Sequence, residues 1–542
     1  MASLLGLSGE PRFKVEAYER AAQVVSTLGE ELAERVEEDS LRELQGIGPA
    51  LSKQIQELWN TGSSARLEQL RAQHPPGAAE LVRVAGMTAR RIQAISAALQ
   101  VASVEQLRDA CTAGLVRGLP GFGAKTEAKL LAASEAALRP KATEPEPLLL
   151  SEGLVLLERL QAELAHAELA SYVVGPARRG EELLDGLDLL VTDEPRACER
   201  LSRLRVVLRI ERKASKVFLA DGVVLRLHVA TTERLGNELV RTSGSEQHVA
   251  ALAERAAQRG VRLESREFRS EAELYGALEL PVAPPELRGE RLELTPCAFA
   301  DLIQLGDVVG LVHCHTSYSD GRNSVLEMAR AAHELGMRYI TITDHSPSAH
   351  YAGGASIDAL KRQWDEIARA QEQVPIRILR GTESDILSDG SLDYPDAILE
   401  QLDVVIASIH ARHKQDRSTM TARLRRALSL PLFKVWGHAL GRMLRHRDAI
   451  DCDVPELFDV LASSRGAIEL NADPHRLDLP PRWIPAARER GIPFVISVDA
   501  HSTRGFAALR YGVTMARRGG LTRNEVLNTL PADEFARAVR PT

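Results

Sequence analysis

Cysteine is scarce in this chain of 542 residues. The five present (Cys111, Cys198, Cys297, Cys314 and Cys452) are scattered and never paired as CxxC. That spacing argues against disulfides and a thiolate zinc site and for a reducing, cytoplasmic compartment. Long apolar runs are missing as well: no uncharged stretch reaches about 18 residues, which excludes a membrane span. Residues 1–12 lack the basic start and apolar run of a signal peptide. Neither sign of charge dominates, since 68 Lys and Arg against 75 Asp and Glu leave a net −7. So mild a balance implies no partner, although a local basic patch could still bind nucleic acid. Histidine is sparse at first: four of 15 (His74, His166, His228, His248) precede residue 308 and eleven follow it. The rest is ordinary, with 44% hydrophobic and 26% charged residues, and at roughly 150 residues per domain the length suggests three or four domains.

Residues 1–140 read as all-helical, with leucine and alanine recurring at spacings of three and four. A Pro- and Glu-rich stretch, 141–148, reads as a linker. From 149 to about 300, helices alternate with β-rich runs such as Leu187-Asp-Leu-Leu-Val191 and Val223-Val-Leu-Arg-Leu-His-Val229. From 308 the alternation becomes regular, with short apolar strands at Val308–His313, Tyr339–Thr343, Ile376–Leu379, Val404–Ile409, Lys434–Trp436, Ala467–Leu470 and Phe494–Val498. Seven strand–helix units imply a parallel sheet closing into a barrel, whose site lies at the C-terminal strand ends.

Those ends carry the chemistry. They deliver His313, His315 and Asp320, then Asp344 and His345, then Glu383, His410, His438, Asn471, and lastly Asp499 and His501. Imidazole and carboxylate without thiolate suit zinc, manganese or iron. Nine of these residues, all but Asp344 and Asn471, are the expected ligands; nine exceed the needs of a single ion and imply two or three divalent metals, Zn²⁺ or Mn²⁺. His333, His350, His413, His446 and His475 read as capping or surface residues.

The motifs His313-Cys-His-Thr-Ser-Tyr-Ser-Asp-Gly321, Thr343-Asp-His-Ser346, Gly381-Thr-Glu-Ser-Asp-Ile386, Ala407-Ser-Ile-His410, Gly437-His438 and Val498-Asp-Ala-His501 resemble the PHP (polymerase and histidinol phosphatase) superfamily. The resemblance implies a distorted (β/α)7 barrel over 308–542 with a trinuclear centre. By position, one metal would take His313, His315, Glu383 and Asp499; a second would share Glu383 and add His410 and His438; the third would take Asp320, His345 and His501. Catalysis is expected around Glu383, Asp499 and His313, with Arg442 and Arg476 as phosphate contacts. Closely spaced divalent ions make hydroxide available near neutral pH and neutralise a phosphoryl group, so the reaction class is metal-dependent phosphoester hydrolysis.

The front half narrows the substrate. Leu44-Gln-Gly-Ile-Gly-Pro-Ala-Leu-Ser-Lys53 and Leu119-Pro-Gly-Phe-Gly-Ala-Lys-Thr126 each place a hydrophobic–Gly–hydrophobic–Gly turn before a helix. They resemble helix–hairpin–helix motifs, which hold the DNA backbone without reading sequence. Gly46, Gly48 and Lys53, and Gly121, Gly123 and Lys125, are the expected contacts; Val84-Ala-Gly-Met-Thr88 is a degenerate third copy. Residues 76–140 carry eight basic against five acidic residues, and 1–75 eight against twelve.

The order of modules, with Phe13-Lys-Val-Glu-Ala-Tyr18, Gly175-Pro-Ala-Arg-Arg-Gly180, Ser243-Gly-Ser-Glu-Gln-His248 and Pro284-Pro-Glu-Leu-Arg288, resembles bacterial family X DNA polymerase. The resemblance implies a multidomain α plus α/β fold. It comprises a helical DNA-binding domain (1–75), a fingers-like helix–hairpin–helix domain (76–140), the linker 141–148, a nucleotidyltransferase-like palm (149–232), a thumb (233–295), a linker (296–307) and the PHP barrel (308–542). The polymerase site departs from that family. Gly175-Pro176 replaces Gly-Ser ahead of Arg179, and Asp185-Gly186-Leu187-Asp188 puts Gly186 at the first Asp position. Asp188 remains. Asp185 is one residue out of register, which on a strand turns it to the other face, and Arg226 stands near the third carboxylate position. Magnesium at this palm is not expected, and polymerisation is expected to be lost. Arg66, near the lyase lysine of some relatives, cannot form a Schiff base.

The expectation is a monomeric DNA-repair phosphoesterase of the bacterial cytoplasm and nucleoid. It would act on single-stranded, gapped or 3′-ended DNA as a 3′–5′ exonuclease, with abasic-site endonuclease or 3′-phosphatase action beside it. Three alternatives stay open: an active gap-filling polymerase with PHP proofreading, a small-molecule phosphatase of the histidinol phosphatase kind, and a non-catalytic DNA-binding scaffold.

Overall fold

The computed structural model describes all residues except 29–30, 45–46, 83, 139–145, 205, 220–222, 290–298, 300, 433 and 541–542. The chain divides into two compact units, 1–144 and 145–542.

The first unit is helical. Its main core packs Leu4, Leu5 and Leu70 with Ile92, Ile95, Leu107, Val116 and Phe122, so position 75/76 does not separate two cores. The hairpin turns share one closing hydrogen bond. Backbone N–H groups of Ile47, Met87 and Phe122 each donate to the carbonyl three residues earlier, on Leu44, Val84 and Leu119, at 3.0 Å. A helix follows each turn: Pro49–Thr61 capped by Gly48, Ala89–Leu99 capped by Thr88, and Ala124–Leu138. Gly86 and Gly121 hold φ of 88° and 84° in their turns, the left-handed conformation this turn requires of its third residue. The hydrophobic member of each turn, Ile47, Met87 or Phe122, is buried. Thus the copy that looks degenerate in sequence has the same local shape. Gly46 lies outside the described residues.

The second unit begins with the region expected as a palm, called the palm below for its position. The short strands β1 (Leu148–Leu149) and β3 (Leu183–Leu184) pair with each other. A five-stranded sheet is built from β2 (Ser171–Val173), β4 (Leu187–Val191), β5 (Val207–Glu211), β6 (Lys216–Leu219) and β7 (Val224–Val229), in the order β2-β4-β7-β6-β5. Only β4 and β7 run parallel. Asp185 sits in the exposed turn between β3 and β4, not on a strand, which corrects the expectation of an opposite-face side chain.

The thumb has a core of its own around Val240, Leu252, Phe268 and Tyr275. Three separate sequence motifs meet there. Glu271 accepts from Arg178 at 3.0 and 2.7 Å and from the fully buried Arg288 at 2.5 Å, and Arg178 and Arg179 both donate to Ser243. His248 is fully buried and shares a 2.6 Å hydrogen bond with the Tyr275 hydroxyl. Burial, helped by the charges of Arg288 and Arg179, pushes its pKa down to about 4. The unfolded chain takes up this proton near 6.5, the folded thumb only near 4. Thumb stability therefore falls as pH drops through that window, by at most about 3 kcal/mol, and then levels. Hydrogen exchange of thumb amides should rise between those pH values in the wild type and much less in His248→Gln; equal slopes would refute this.

The barrel is an all-parallel sheet of β8 (Gly310–Cys314), β9 (Tyr339–Ile342), β10 (Arg377–Asp385), β11 (Val404–Ser408), β12 (Val435–Trp436), β13 (Ala467–Asn471) and β14 (Phe494–Ser497), each beside its neighbour in sequence. Hydrogen bonds from Val498 to Val312 and between Ala500 and His313 and His315 bring the last strand back to the first. The expected third strand, Ile376–Leu379, continues through Glu383 to Asp385, so this strand carries its functional carboxylate within the ladder.

Palm and barrel share a core. Leu444, Leu477, Tyr511 and Met515 of the barrel belong to the same buried cluster as Leu184, Leu187 and Leu189. Glu182 of the palm accepts from Arg442 at 2.8 Å and Arg518 at 3.1 Å, and Glu152 accepts from Arg445 at 3.0 and 2.8 Å. Among the described residues, no helix is long and apolar enough to cross a membrane, and Cys111, Cys198, Cys314 and Cys452 are free and buried.

Candidate metal centre

His313 and His315 lie two apart at the end of β8, which turns both rings inward. Cys314 between them faces the hydrophobic layer, and burial pushes its thiol well up, so it is no metal ligand. Glu383 rises from β10 into the middle of the cluster. It approaches His438 Nε2 at 2.8 Å, His345 Nδ1 at 2.9 Å, His410 Nε2 at 3.2 Å, His313 Nε2 at 3.3 Å and His315 Nε2 at 3.7 Å. Asp499 Oδ1 stands 3.3 Å from His315 Nε2 and 3.6 Å from His313 Nε2. At the mouth, Asp320 Oδ1 is 3.3 Å from His501 Nε2 and 3.6 Å from His345 Nε2. All nine residues expected as ligands thus meet in one pocket.

Three groups could each hold an ion: His315, Asp320, His345 and His501; His313, His315 and Asp499; and His345, Glu383 and His410. The polar atoms fit that use. His313 Nε2, both His315 nitrogens, His345 Nδ1, His438 Nδ1 and Glu383 Oε2 are buried without a hydrogen-bond partner, and buried polar atoms rarely go unpaired. Burial acts to raise the Glu383 carboxyl, yet His410, His313 and His345 hold it well below the usual range. His410 is itself pushed up to about 9: burial opposes this, while Glu383 and Asp385 outweigh it. His313, His438 and Asp499 hold φ of 65°, 23° and 48°. Side-chain-bearing residues rarely adopt that region, and such outliers cluster at functional sites.

Sequence reasoning missed the groups that orient these rings. Glu469, fully buried on β13, lies 2.5 Å from His313 Nδ1 and accepts from the His438 backbone N–H. Asp385 meets His410 Nδ1. A carboxylate taking the Nδ1 proton fixes the tautomer and aims the Nε2 lone pair into the pocket. The signal was present: Glu469 interrupts an apolar strand two residues before Asn471, on the same face. Asn471 in turn donates to Asp499 at 3.0 Å. Glu469→Gln is expected to weaken metal affinity by about 10- to 100-fold, measured by competition with a chelator; unchanged affinity would remove Glu469 from this role. Tyr351 was missed too. Half exposed, its ring centre stands 5.8 Å from both His345 and His410.

The two arginines expected at a phosphate differ. Arg476 Nε lies 3.4 Å from Asp499 Oδ2, and its Nε and one terminal nitrogen are buried without a hydrogen-bond acceptor. Arg442 is largely committed within the protein: its guanidinium donates to Glu182 at 2.8 Å, to the Arg476 carbonyl at 2.9 Å and to the Leu477 carbonyl. It braces the loop that carries Arg476 and offers these donors to no substrate.

The palm site is self-neutralised. The β4–β7 register sets Arg226 opposite Asp188, and Arg226 grips both carboxylate oxygens at 2.7 and 2.6 Å while His228 stands 2.8 Å from one. A Cβ on Gly186 would sit 3.2 Å from the Arg226 guanidinium, and one on Gly175 would sit 2.6 Å from Asp188 Oδ2. Arg179 is held by Glu181 and Ser243. In the first unit, Gly48, Lys53, Gly121, Gly123 and Lys125 are all exposed.

Comparisons with known proteins agree with this division. Residues 312–473 match the PHP domain, 1–64 a helix–hairpin–helix domain and 78–135 a SAM-like helix–hairpin–helix tandem. The chain is 33% identical to the DNA polymerase/3′–5′ exonuclease PolX of Bacillus subtilis (strain 168), over 97% of this chain and 95% of that protein. It is also 25% identical to a probable phosphatase of Thermoanaerobacter sp. (strain X514), over 40% of this chain and 89% of that one. A probable phosphatase of Aliivibrio fischeri (strain ATCC 700601 / ES114) is likewise 25% identical, over 41% and 90% respectively.

Proposed function

The chain belongs to the PolX family of bacterial family X DNA polymerase/3′–5′ exonucleases, and from that premise we propose that it is a DNA-repair 3′–5′ exonuclease whose palm no longer polymerises. Abasic-site endonuclease and 3′-phosphatase action belong to the same site chemistry. The observation that carries the reading is the convergence of nine histidine and carboxylate side chains around Glu383, with unpartnered nitrogens facing inward.

In this reading His313, His315, Asp320, His345, Glu383, His410, His438, Asp499 and His501 hold two or three divalent ions, zinc or manganese. Such ions supply hydroxide near neutral pH and neutralise charge on the phosphoryl group. The chain's own residues do the rest. Glu469 and Asp385 fix the His313 and His410 tautomers. Arg476, with donors unspent beside Asp499, meets the phosphoryl oxygens in place of Arg442. The hairpin tips of the first unit, with Lys53 and Lys125, hold the backbone of single-stranded, gapped or 3′-ended DNA through amide N–H groups and lysine charge. The protein works as a monomer in the cytoplasm, at the nucleoid.

The small-phosphatase alternative leaves the hairpin matches without a use, and a scaffold leaves the buried orphan nitrogens without one. The test is digestion of 5′-labelled single-stranded, gapped and 3′-phosphate DNA, with Mn²⁺ or Zn²⁺ and after chelation. A ladder shortening from the 3′ end that chelation abolishes is expected. Intact DNA with metals bound would overturn the reading.

A further inference from the structure

A cavity of about 450 Å³ opens where barrel residues 442–449 meet Leu183 of the palm, within the ordinary range of ligand pockets. Its lining is strongly basic: Arg442, Arg445, Arg447, Arg482 and His446 face a single carboxylate, Asp448. The four arginines differ in what they have left to give. Arg442 and Arg445 are tied back to Glu182 and Glu152, although Arg445 Nε remains buried without an acceptor. Arg447 spends only Nε, on the Gly441 carbonyl at 2.9 Å. Arg482 is exposed, and none of the described residues offers it a hydrogen bond or a carboxylate.

So many guanidinium groups in one concavity repel one another unless an anion joins them. Burial first, and then the charge of Arg476 outside the pocket, hold Arg447 below the usual arginine range. A hydrogen bond also locates the cavity: Arg442, on its lining, donates Nε to the Arg476 carbonyl at 2.9 Å. The Arg476 side chain in turn lies beside Asp499. Positive charge therefore runs from the candidate metal centre into the seam between palm and barrel.

We propose that this seam pocket holds backbone phosphates of the DNA strand whose end lies at the metal centre, with Arg447 and Arg482 as the contacting cations. The inference rests on the nuclease reading above and adds a subsite to it. It also gives the palm a use, since Leu183 lines the pocket and Glu182 and Glu152 hold Arg442 and Arg445 in its wall.

The experiment uses the full chain, with Arg447→Ala, Arg482→Ala and the double variant. Single-stranded oligothymidylates are compared with a dinucleotide too short to occupy both metal centre and pocket. For the long strand, the double variant should raise KM at least about tenfold, and the slope of log KM against log salt should shrink by roughly 1.4, or 0.7 per lost phosphate contact. The penalty should fade as the strand shortens, and Arg447→Lys with Arg482→Lys should recover most of it, because a phosphate accepts lysine as a point charge. Anisotropy of the labelled strand on metal-stripped protein reads the same loss as weaker, less salt-dependent binding. Hydrolysis by the wild type with KM, salt slope and binding unchanged in the double variant would overturn the pocket and leave the nuclease standing. Failure of the wild type to cleave either substrate would instead overturn the nuclease reading, while the anisotropy still decides whether the pocket binds a strand.

Discussion

Glu383→Ala is expected to reduce DNA hydrolysis by at least about 10³-fold, the loss of several kcal/mol of transition-state stabilisation. The size follows from position. Glu383 is the one carboxylate within 3.7 Å of five imidazoles, those of His313, His315, His345, His410 and His438. Removing it takes away the anion that balances the cluster and the oxygen that two of the expected ions would share. Glu383→Gln separates these effects: it keeps the shape and one oxygen donor but loses the charge. The alanine variant should bind fewer metals by elemental analysis, with normal circular dichroism, and the glutamine variant should fall between it and the wild type. Hydrolysis within about tenfold of the wild type in the alanine variant would contradict a multi-metal centre built on this residue.

The second large effect is an absence. With magnesium and deoxynucleoside triphosphates, gapped DNA should show no template-directed extension, whereas an intact two-metal site would give incorporation readily. Each catalytic ion contributes several kcal/mol, roughly 10³ in rate. Here the one remaining carboxylate is occupied: both Asp188 oxygens are bound by Arg226 at 2.7 and 2.6 Å. Burial would raise the Asp188 carboxyl, but Arg226 and His228 outweigh it and hold it low, so the pair is an ion pair and a magnesium ion would have to displace a guanidinium. Gly186→Asp alone should not restore activity, because the new side chain would start 3.2 Å from the same guanidinium and pair with it. Extension by the wild type that Asp188→Ala abolishes would sink this account.

Much of the barrel was legible in sequence because its chemistry is local. Each strand is a short apolar run, and each expected ligand lies at or just beyond the end of one. Thus His313, Glu383, His410, His438 and Asp499 could be picked out from position alone. The hairpin turns were legible for the same reason, since a glycine at the third turn position and a buried hydrophobic after it lie within five residues. What stayed hidden depends on contacts far apart in the chain. Arg442 and Glu182 are separated by 260 positions, and nothing near Arg442 says that its guanidinium turns toward the palm. Glu469 shows in sequence only as a charge interrupting an apolar strand, and its partner His313 lies 156 positions away. The positive φ values of His313, His438 and Asp499 leave no mark in composition at all.

The buried cluster that joins palm and barrel has a consequence for how this chain can vary. A palm that did not polymerise would still not be free to accumulate substitutions. Leu184 and Leu187 pack with Leu444, Leu477, Tyr511 and Met515 of the barrel. A large-to-small change at a buried leucine costs about 2–5 kcal/mol, and here that cost would be borne by the walls beside Arg442 and Arg476. A barrel cut loose at residue 308 would present the same four side chains bare to water and tend to self-associate. The palm therefore answers for the solubility and stiffness of the barrel whatever its own chemistry, and a substitution in one half of the shared core is felt in the other.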